Sequence, residues 1–315
     1  MSKFKNPSEL QVTATIKALV YGQPGIGKST LALSTPQPVL FDFDGGVQRV
    51  NGAFQCPTLP VQSWEEVLEA INELKAGEVE CKTIVIDTAG KMLDYMSDYI
   101  MRNDQKMRMR DGSLSLKGYG ARKVMFINFL REVSMMGKNI MFVAHEKEER
   151  DGEVRIVRPE MGGSSLGDLI KELDLVGYMQ AIGTERTVSW SPTEKFYAKN
   201  ACNLPSIHNV KELVDANGQI VSENNFMTII FDNYNNYLVS LKSLRLRYDN
   251  LLSSFKKGIN AVADADMANE TYKKIASYTQ HIWDSKMQAE RNLAVHCEGL
   301  GLKFNSIENR YEPAA

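Results

Sequence analysis

The eight residues GQPGIGKS, Gly22 to Ser29, constrain this chain more than any other stretch. They match G-x-x-x-x-G-K-[ST] in full, the pattern of a phosphate-binding loop. The flanks agree. Ile16, Ala18, Leu19, Val20 and Tyr21 form an apolar run that reads as a buried strand, and Lys28-Ser-Thr-Leu-Ala-Leu opens a helix. Gly22, Gly25 and Gly27 carry no Cβ, so the backbone can bend its N–H groups inward. Those donors and the positive end of the helix make a cradle for anions. The expected cradle is Gly22, Gln23, Pro24, Gly25, Ile26, Gly27, Lys28, Ser29 and Thr30. Lys28 is expected to reach the β- and γ-phosphates of a nucleotide as a point charge. The Ser29 hydroxyl is expected to take one position on Mg2+.

Downstream, apolar strands alternate with helical patterns. Pro38-Val-Leu-Phe-Asp42-Phe-Asp44-Gly45-Gly46 reads as a second strand with acids at its end. Trp64 to Lys75 has helical spacing, and Thr83 to Ile86 is a short β-branched strand closing on Asp87. Lys91 to Met101 and Val124 to Met135 read as helices. Asn139 to Ala144 is a further strand, ending at His145 and Glu146. This alternation predicts an α/β fold with a mostly parallel sheet covered by helices. Ligands in such sheets lie at the carboxyl ends of the strands. Here those ends carry the glycine loop, Asp42 and Asp44, Asp87 and His145, which argues for one site.

Each acid has a role to fill. Asp87 is placed to hold Mg2+ with Ser29, directly or through water. Asp42 and Asp44 are two apart, so they share a face while the strand stays regular. Asp44, beside the two glycines, is the better placed to orient an attacking water as general base. His145 is placed to sense the γ-phosphate.

The interval from Arg102 to Lys123 is a local charge anomaly. It reads as a polar, glycine-containing loop up to Gly120. Arg102, Lys106, Arg108, Arg110, Lys117, Arg122 and Lys123 oppose only Asp104 and Asp111, although the whole chain has a net charge of −2. A basic loop with an aromatic, Tyr119, suits contact with the phosphate backbone and bases of single-stranded DNA. The net charge itself gives no global sign of nucleic-acid binding.

Past Glu146 the pattern shifts. Glu153 to Val157 suggests a hairpin, Pro159 to Gly167 a loop, and Leu169 to Met179 an apolar element. Arg186 to Ala198 has strand patterning closed by Pro205. From Tyr234 the chain reads as helical, with a second helical stretch from Met267 to Cys297. The expected division is therefore residues 1–233 for the nucleotide-binding domain and 234–315 for a helical hairpin with its own face to bury. Cys56, Cys81, Cys202 and Cys297 form no C-x-x-C pair and read as reduced packing thiols. The polar start, MSKFKNPSELQ, does not read as a signal peptide, and no apolar run reaches the roughly 18 residues of a membrane span. These features lead to the expectation of a cytoplasmic protein.

The ordered set VYGQPGIGKST, VLFDFDGG, IVIDTAG, VAHEKE, LDLVGYM and YAKNACNLP resembles the phage-encoded RecA-like P-loop ATPases, among them the Sak-type group implicated in single-strand annealing. The resemblance covers about Thr15 to Pro205. It implies a RecA-like fold, ATP and Mg2+ as cofactors, DNA recombination or replication as the setting, single-stranded DNA and other replication or recombination proteins as partners, and a homo-oligomer with ATP near the subunit interface. Matched by position, Asp44 takes the role of the water-activating acid and His145 that of the γ-phosphate sensor. Lys199 takes that of a lysine reaching a neighbouring subunit's ATP. Two departures stand out. The family's acid is usually Glu, and a second lysine is replaced here by Ala201.

Other functions compete with a DNA-dependent ATPase. A helicase or helicase loader lies in the same class. A nucleotide kinase shares the GxPGxGKS loop but needs an arginine-rich lid, and a nucleotide-binding scaffold would hydrolyse little.

Overall fold

The computed structural model describes residues 4, 9, 15–151, 154–162, 165–183 and 185–314. Apart from Phe4 and Glu9, the polar lead-in before Thr15 lies outside them, as does Glu153 at the start of the expected hairpin. The chain divides into two compact units. One runs from Thr13 to Asn235, and the residues from Asn236 onward belong to the other.

The first unit begins with β1 (Lys17–Gly22), the glycine loop and a short helix α1 (Lys28–Ala32). Next come β2 (Pro38–Asp42), β3 (Thr58–Pro60), α2 (Trp64–Ala76), β4 (Thr83–Asp87) and α3 (Ala89–Asn103). α4 (Leu116–Met135), β5 (Asn139–Asp151), β6 (Val154–Pro159), α5 (Ser165–Glu172) and β7 (Leu175–Ile182) follow. β8 (Glu185–Ser189), β9 (Lys199–Asn200), β10 (Ile207–Val210) and α6 (Phe226–Asn260) complete the run into the second unit.

Among the described residues the main sheet has the order β10-β8-β7-β1-β5-β4-β2-β3, with β6 on β5 and β9 on β7. From β7 through β1, β5, β4 and β2 to β3 every pairing is parallel. β8, β10, β6 and β9 add antiparallel partners. The fold is an α/β P-loop NTPase fold with a mostly parallel mixed sheet covered by helices.

Period-2 alternation splits the core between the two faces. Leu19 and Tyr21 of β1, Ile84 and Ile86 of β4, and Phe142 of β5 pack with Trp64, Met92, Phe126 and Leu130 from α2, α3 and α4. Ala18, Val20, Val85, Met141 and Val143 face the other way, onto Leu31 of α1 and Met227, Ile230 and Phe231 of α6. The last three are at most 1% exposed, each worth about 1.5–3 kcal/mol over an exposed position.

Helix ends follow their caps. Ser63 accepts from the Glu66 N–H at the start of α2, and Gly77 in the left-handed region ends it. Thr88 and Ser115 cap α3 and α4 in the same manner.

The interval read as a basic loop is irregular at its centre and helical at both ends. α3 runs on to Asn103 and α4 starts at Leu116; residues 104–115 between them hold one 3-10 turn (Gln105–Met107) and a bridge from Arg108 to Leu114. Gly118 and Gly120 argue against a helix by propensity. Gly118 is needed there because a Cβ would lie 2.5 Å from the Leu114 side chain. β5 continues past His145 and pairs with β6, so a hairpin forms where one was expected. The segment read as one apolar element from Leu169 is α5 followed by β7.

The second unit holds the rest of α6, then α7 (Ala265–Ser277), α8 (Ser285–Gly299), and the antiparallel pair β11 (Leu302–Asn305) and β12 (Arg310–Pro313). Ile259, Ile275, Leu293, Cys297 and Tyr311 form its core. The single helix read over Met267 to Cys297 is broken at Tyr278 to Asp284. There Trp283 adopts φ 49°, and the His281 ring bonds the Ile275 carbonyl and Ser285 Oγ. No helix among the described residues is long and apolar enough to cross a membrane.

Candidate nucleotide site

Parallel register brings four strand ends together. Gly22 of β1 pairs with His145 of β5, and Asp87 of β4 pairs with Val143 of β5 and with Asp42 of β2. β5 lies between the strand of the glycine loop and the strand of Asp87, so His145 and Glu146 leave the sheet between them.

The glycine loop has the backbone that a cradle requires. Gly25 and Gly27 sit at φ 81° and 97°, a region that costs other residues dearly. At Gly22 a Cβ would lie 2.3 Å from the Met179 carbonyl oxygen. Lys28 is 5% exposed and folds back to donate to the Gln23 carbonyl over 2.6 Å. Burial lowers its pKa, and the nearby carboxylates of Asp87 and Glu146 oppose that shift.

Asp87 is 6% exposed. Burial pushes its carboxyl above the usual range, and the charges of Asp42 and Asp44 add to this. The Ser29 hydroxyl, hydrogen-bonded to it, and the Lys28 ammonium act in the opposite sense. Ser29 and Asp87 are thus together, as a shared Mg2+ position requires. Among the described residues no three His, Cys, Asp or Glu side chains gather into a metal cage. Mg2+ commonly takes one or two protein oxygens and completes its shell with phosphate oxygens and water, and Ser29 with Asp87 fits that pattern. Nδ1 of His145 is a buried nitrogen with no hydrogen-bond partner among the described residues, at the end of the strand beside the loop. An orphaned polar atom there fits a ligand group.

Asp42 and Asp44 part company. β2 ends at Asp42, so the shared strand face expected for the two does not form. Both oxygens of Asp42, which is 3% exposed, accept backbone N–H groups: Oδ1 from Asp44 and Gly46, Oδ2 from Val47. Asp42 therefore builds the turn that presents Asp44. The Asp44 carboxylate lies 3.6 Å from the Arg49 guanidinium, with a third of its side chain exposed.

Glu146 is a site residue to which sequence reading assigned no role. Its Oε2 accepts the Tyr178 hydroxyl over 3.0 Å, and its charge acts on Lys28. Tyr178 stacks on Tyr21 at 5.1 Å between ring centroids, and its pKa is pushed up to about 12 by burial and by Glu146. The one available signal was position, directly after His145 at a parallel strand's carboxyl end.

Lys199 lies apart from this group. Its Nζ donates to the Ile170 and Lys171 carbonyls, capping the last turn of α5.

The basic residues fall into two classes. Lys106, Arg108, Arg110, Lys117 and Lys123 are exposed. Arg102, Arg108 and Arg110 line an open groove with Gln62, Tyr95 and Gln105, although Arg102 is also paired with Glu65 at 2.9 Å. Arg122 does not join them. It is 4% exposed, donates to Ser97 Oγ over 3.1 Å and to the Gly162 carbonyl over 2.8 Å, and lies over the Tyr119 ring. Helical periodicity turns it inward, where it pins α4 to α3.

No curated protein matches the sequence. Residues 14–202 match the family described as AAA domain, a stretch that contains the glycine loop, Asp87, His145 and Lys199. That match spans more than half of the chain, and the protein therefore belongs to the AAA domain family of P-loop ATPases.

Proposed function

We propose that this protein is a Mg-ATP-dependent ATPase that binds single-stranded DNA and acts, as a homo-oligomer in the cytoplasm, in phage DNA recombination or replication. The observation that carries the ATPase part is the convergence at one end of the sheet of a glycine cradle, a buried lysine, a Ser29–Asp87 pair and an unpartnered His145 nitrogen.

In this reading Gly22 to Thr30 cradle the phosphates and Lys28 meets the β- and γ-oxygens. Ser29 and Asp87 would hold Mg2+, which supplies charge neutralisation on the transferred phosphoryl group. Asp44 orients the attacking water, and Asp42 fixes the turn that carries it. Glu146 is a second candidate for that task, favoured by its hydroxyl partner Tyr178 and its coupling to Lys28. His145 meets the γ-phosphate, and Lys199 acts on a neighbouring subunit's ATP once oligomers form.

The DNA part rests on the exposed Lys106, Arg108 and Arg110 and on the resemblance to Sak-type annealing ATPases. A helicase or helicase loader uses the same parts, whereas a nucleotide kinase would need a phosphate-clamping lid. The deciding measurement is the ATPase rate with and without single-stranded DNA. Stimulation supports this reading. ADP formation dependent on AMP selects the kinase, and the absence of both selects a scaffold.

A further inference from the structure

Tyr95 joins two places that the sequence keeps apart, the open groove beside α3 and the turn that presents Asp44. The groove holds about 840 Å³. Tyr95, Asp98 and Arg102 line it at helical spacing, so one face of α3 forms a wall. Arg108 and Arg110 supply exposed positive charge, and Gln62, just before α2, lines it as well. Gln62 is fixed there, because its N–H donates to Glu66 Oε2 over 2.8 Å.

From the groove, Tyr95 reaches the Asp42–Asp44 turn by two routes. Its ring meets the Phe43 ring edge-on, with 5.4 Å between centroids and 70° between planes. Phe43 stands between the two acids in the chain and is 5% exposed. The Phe43 N–H donates to the Asp87 carbonyl over 2.7 Å. The second route is polar. The Tyr95 hydroxyl donates to the Val61 carbonyl over 3.2 Å. The Val61 N–H in turn donates to the Asp42 carbonyl over 3.0 Å. Tyr95 itself is half-buried, with inner contacts on the turn and the rest of its surface in the groove.

We propose that Tyr95 is a positioning residue that couples a single-stranded nucleic acid in this groove to the Asp44 turn, and so to ATP hydrolysis. The proposal rests on the single-strand reading of Arg108 and Arg110 given above. A strand whose phosphates lie on these arginines brings a base against the open part of the Tyr95 ring. Stacking of that kind tolerates any base, and it holds the ring in one position. The inner edge of the ring then fixes Phe43, and the hydroxyl fixes Val61 and the Asp42 carbonyl. Asp42 is the residue whose carboxylate builds the turn. Small displacements matter there, since misplacing a reacting group by about 1 Å can cost about 10²-fold in rate.

The test reads kcat with saturating oligothymidylate divided by kcat without it, for wild type, Tyr95→Leu and Tyr95→Phe. Fluorescence titration of the same oligonucleotide sets saturation, and the ATP Kd shows that each variant has folded. Wild type should be stimulated about fivefold or more, the size of an ordinary coupling. In Tyr95→Leu, which loses both routes, the ratio should fall close to unity. Tyr95→Phe keeps the ring and loses only the bond to Val61, so its ratio should lie clearly between the two. It carries the test if Tyr95→Leu does not bind ATP. A purely structural Tyr95 would lower both rates by the same factor and leave the ratio unchanged. Either folded variant that keeps the wild-type ratio therefore overturns the proposal. So does a variant that no strand concentration saturates, which would make Tyr95 an anchor for the strand and not a relay. Wild-type turnover indifferent to the strand would instead remove the single-strand reading itself, and the coupling with it.

Discussion

Tyr178 donates its phenolic hydrogen to Glu146 Oε2 over 3.0 Å, from a strand on the far side of the one that leads into the phosphate loop. The bond fixes a carboxylate near Lys28, two strands away from the one that runs into Asp44. Two acids thus compete for the water-orienting role, and they can be separated. Asp44→Asn and Glu146→Gln keep shape and remove the proton acceptor. The true base should lose about 10²–10⁴-fold in kcat with nucleotide Kd within a few-fold of wild type. The other should fall only a few-fold. Steady-state ADP release and equilibrium binding measure both. The proposed order places the large loss at Asp44. A large loss at Glu146 alone transfers the role to it.

Asp42 is expected to matter for stability first. Asp42→Ala leaves the N–H groups of Asp44, Gly46 and Val47 without their carboxylate acceptor. Hydrogen bonds to a charged group are worth about 1.5–3 kcal/mol, so a loss of at least about 2 kcal/mol is expected in urea unfolding. A midpoint equal to wild type would mean that the turn is held by other contacts.

Exposed and buried cations should behave differently. Changing Lys106, Arg108 and Arg110 together to Ala should weaken single-strand binding uniformly across base sequences. It should also lower the slope of log K against log salt by at most about 2, since each contact on a single strand contributes about 0.7. Nucleotide binding should persist. Arg122→Ala should instead lower stability by about 1–3 kcal/mol, because Ser97 and the Gly162 carbonyl lose a buried donor. Salt titrations of oligonucleotide binding and thermal melts separate the two. Identical slopes in the triple variant and wild type would reduce the segment to a solvated charged surface.

The candidate site was legible where the signal is local. The glycine loop, the strand closing on Asp87 and the strand closing on His145 are contiguous stretches whose alternation or apolar run states the element directly. The fold class followed from their order. What escaped depends on packing across the chain. The first turns of α4 carry Gly118 and Gly120, which propensity reads as loop, yet Gly118 is required by the approach of Leu114. Arg122 looked like one more surface cation until that helix gave it an inward face. The carboxylate of Asp42 is spent on its own turn, which two-residue spacing cannot show. The break between α7 and α8 contains neither Gly nor Pro, and is held by His281 and a left-handed Trp283. The stretch from His208 to Ile230 has no motif at all. It is brought to the loop by side chains about 190 residues away in sequence, Asn224 to Thr30 and Met227 to Ser34.

The central claim is that Gly22 to Ser29 bind the phosphates of ATP through Lys28. The most direct measurement is the ATP Kd of Lys28→Ala against wild type by calorimetry in Mg2+, with far-ultraviolet circular dichroism to confirm the fold. Among the described residues Lys28 Nζ hydrogen-bonds its own loop, at the Gln23 carbonyl. Its loss should therefore leave secondary structure intact. The account predicts at least about a hundredfold weaker binding, the equivalent of about 2.7 kcal/mol. Folded Lys28→Ala protein that binds ATP as tightly as wild type would contradict it.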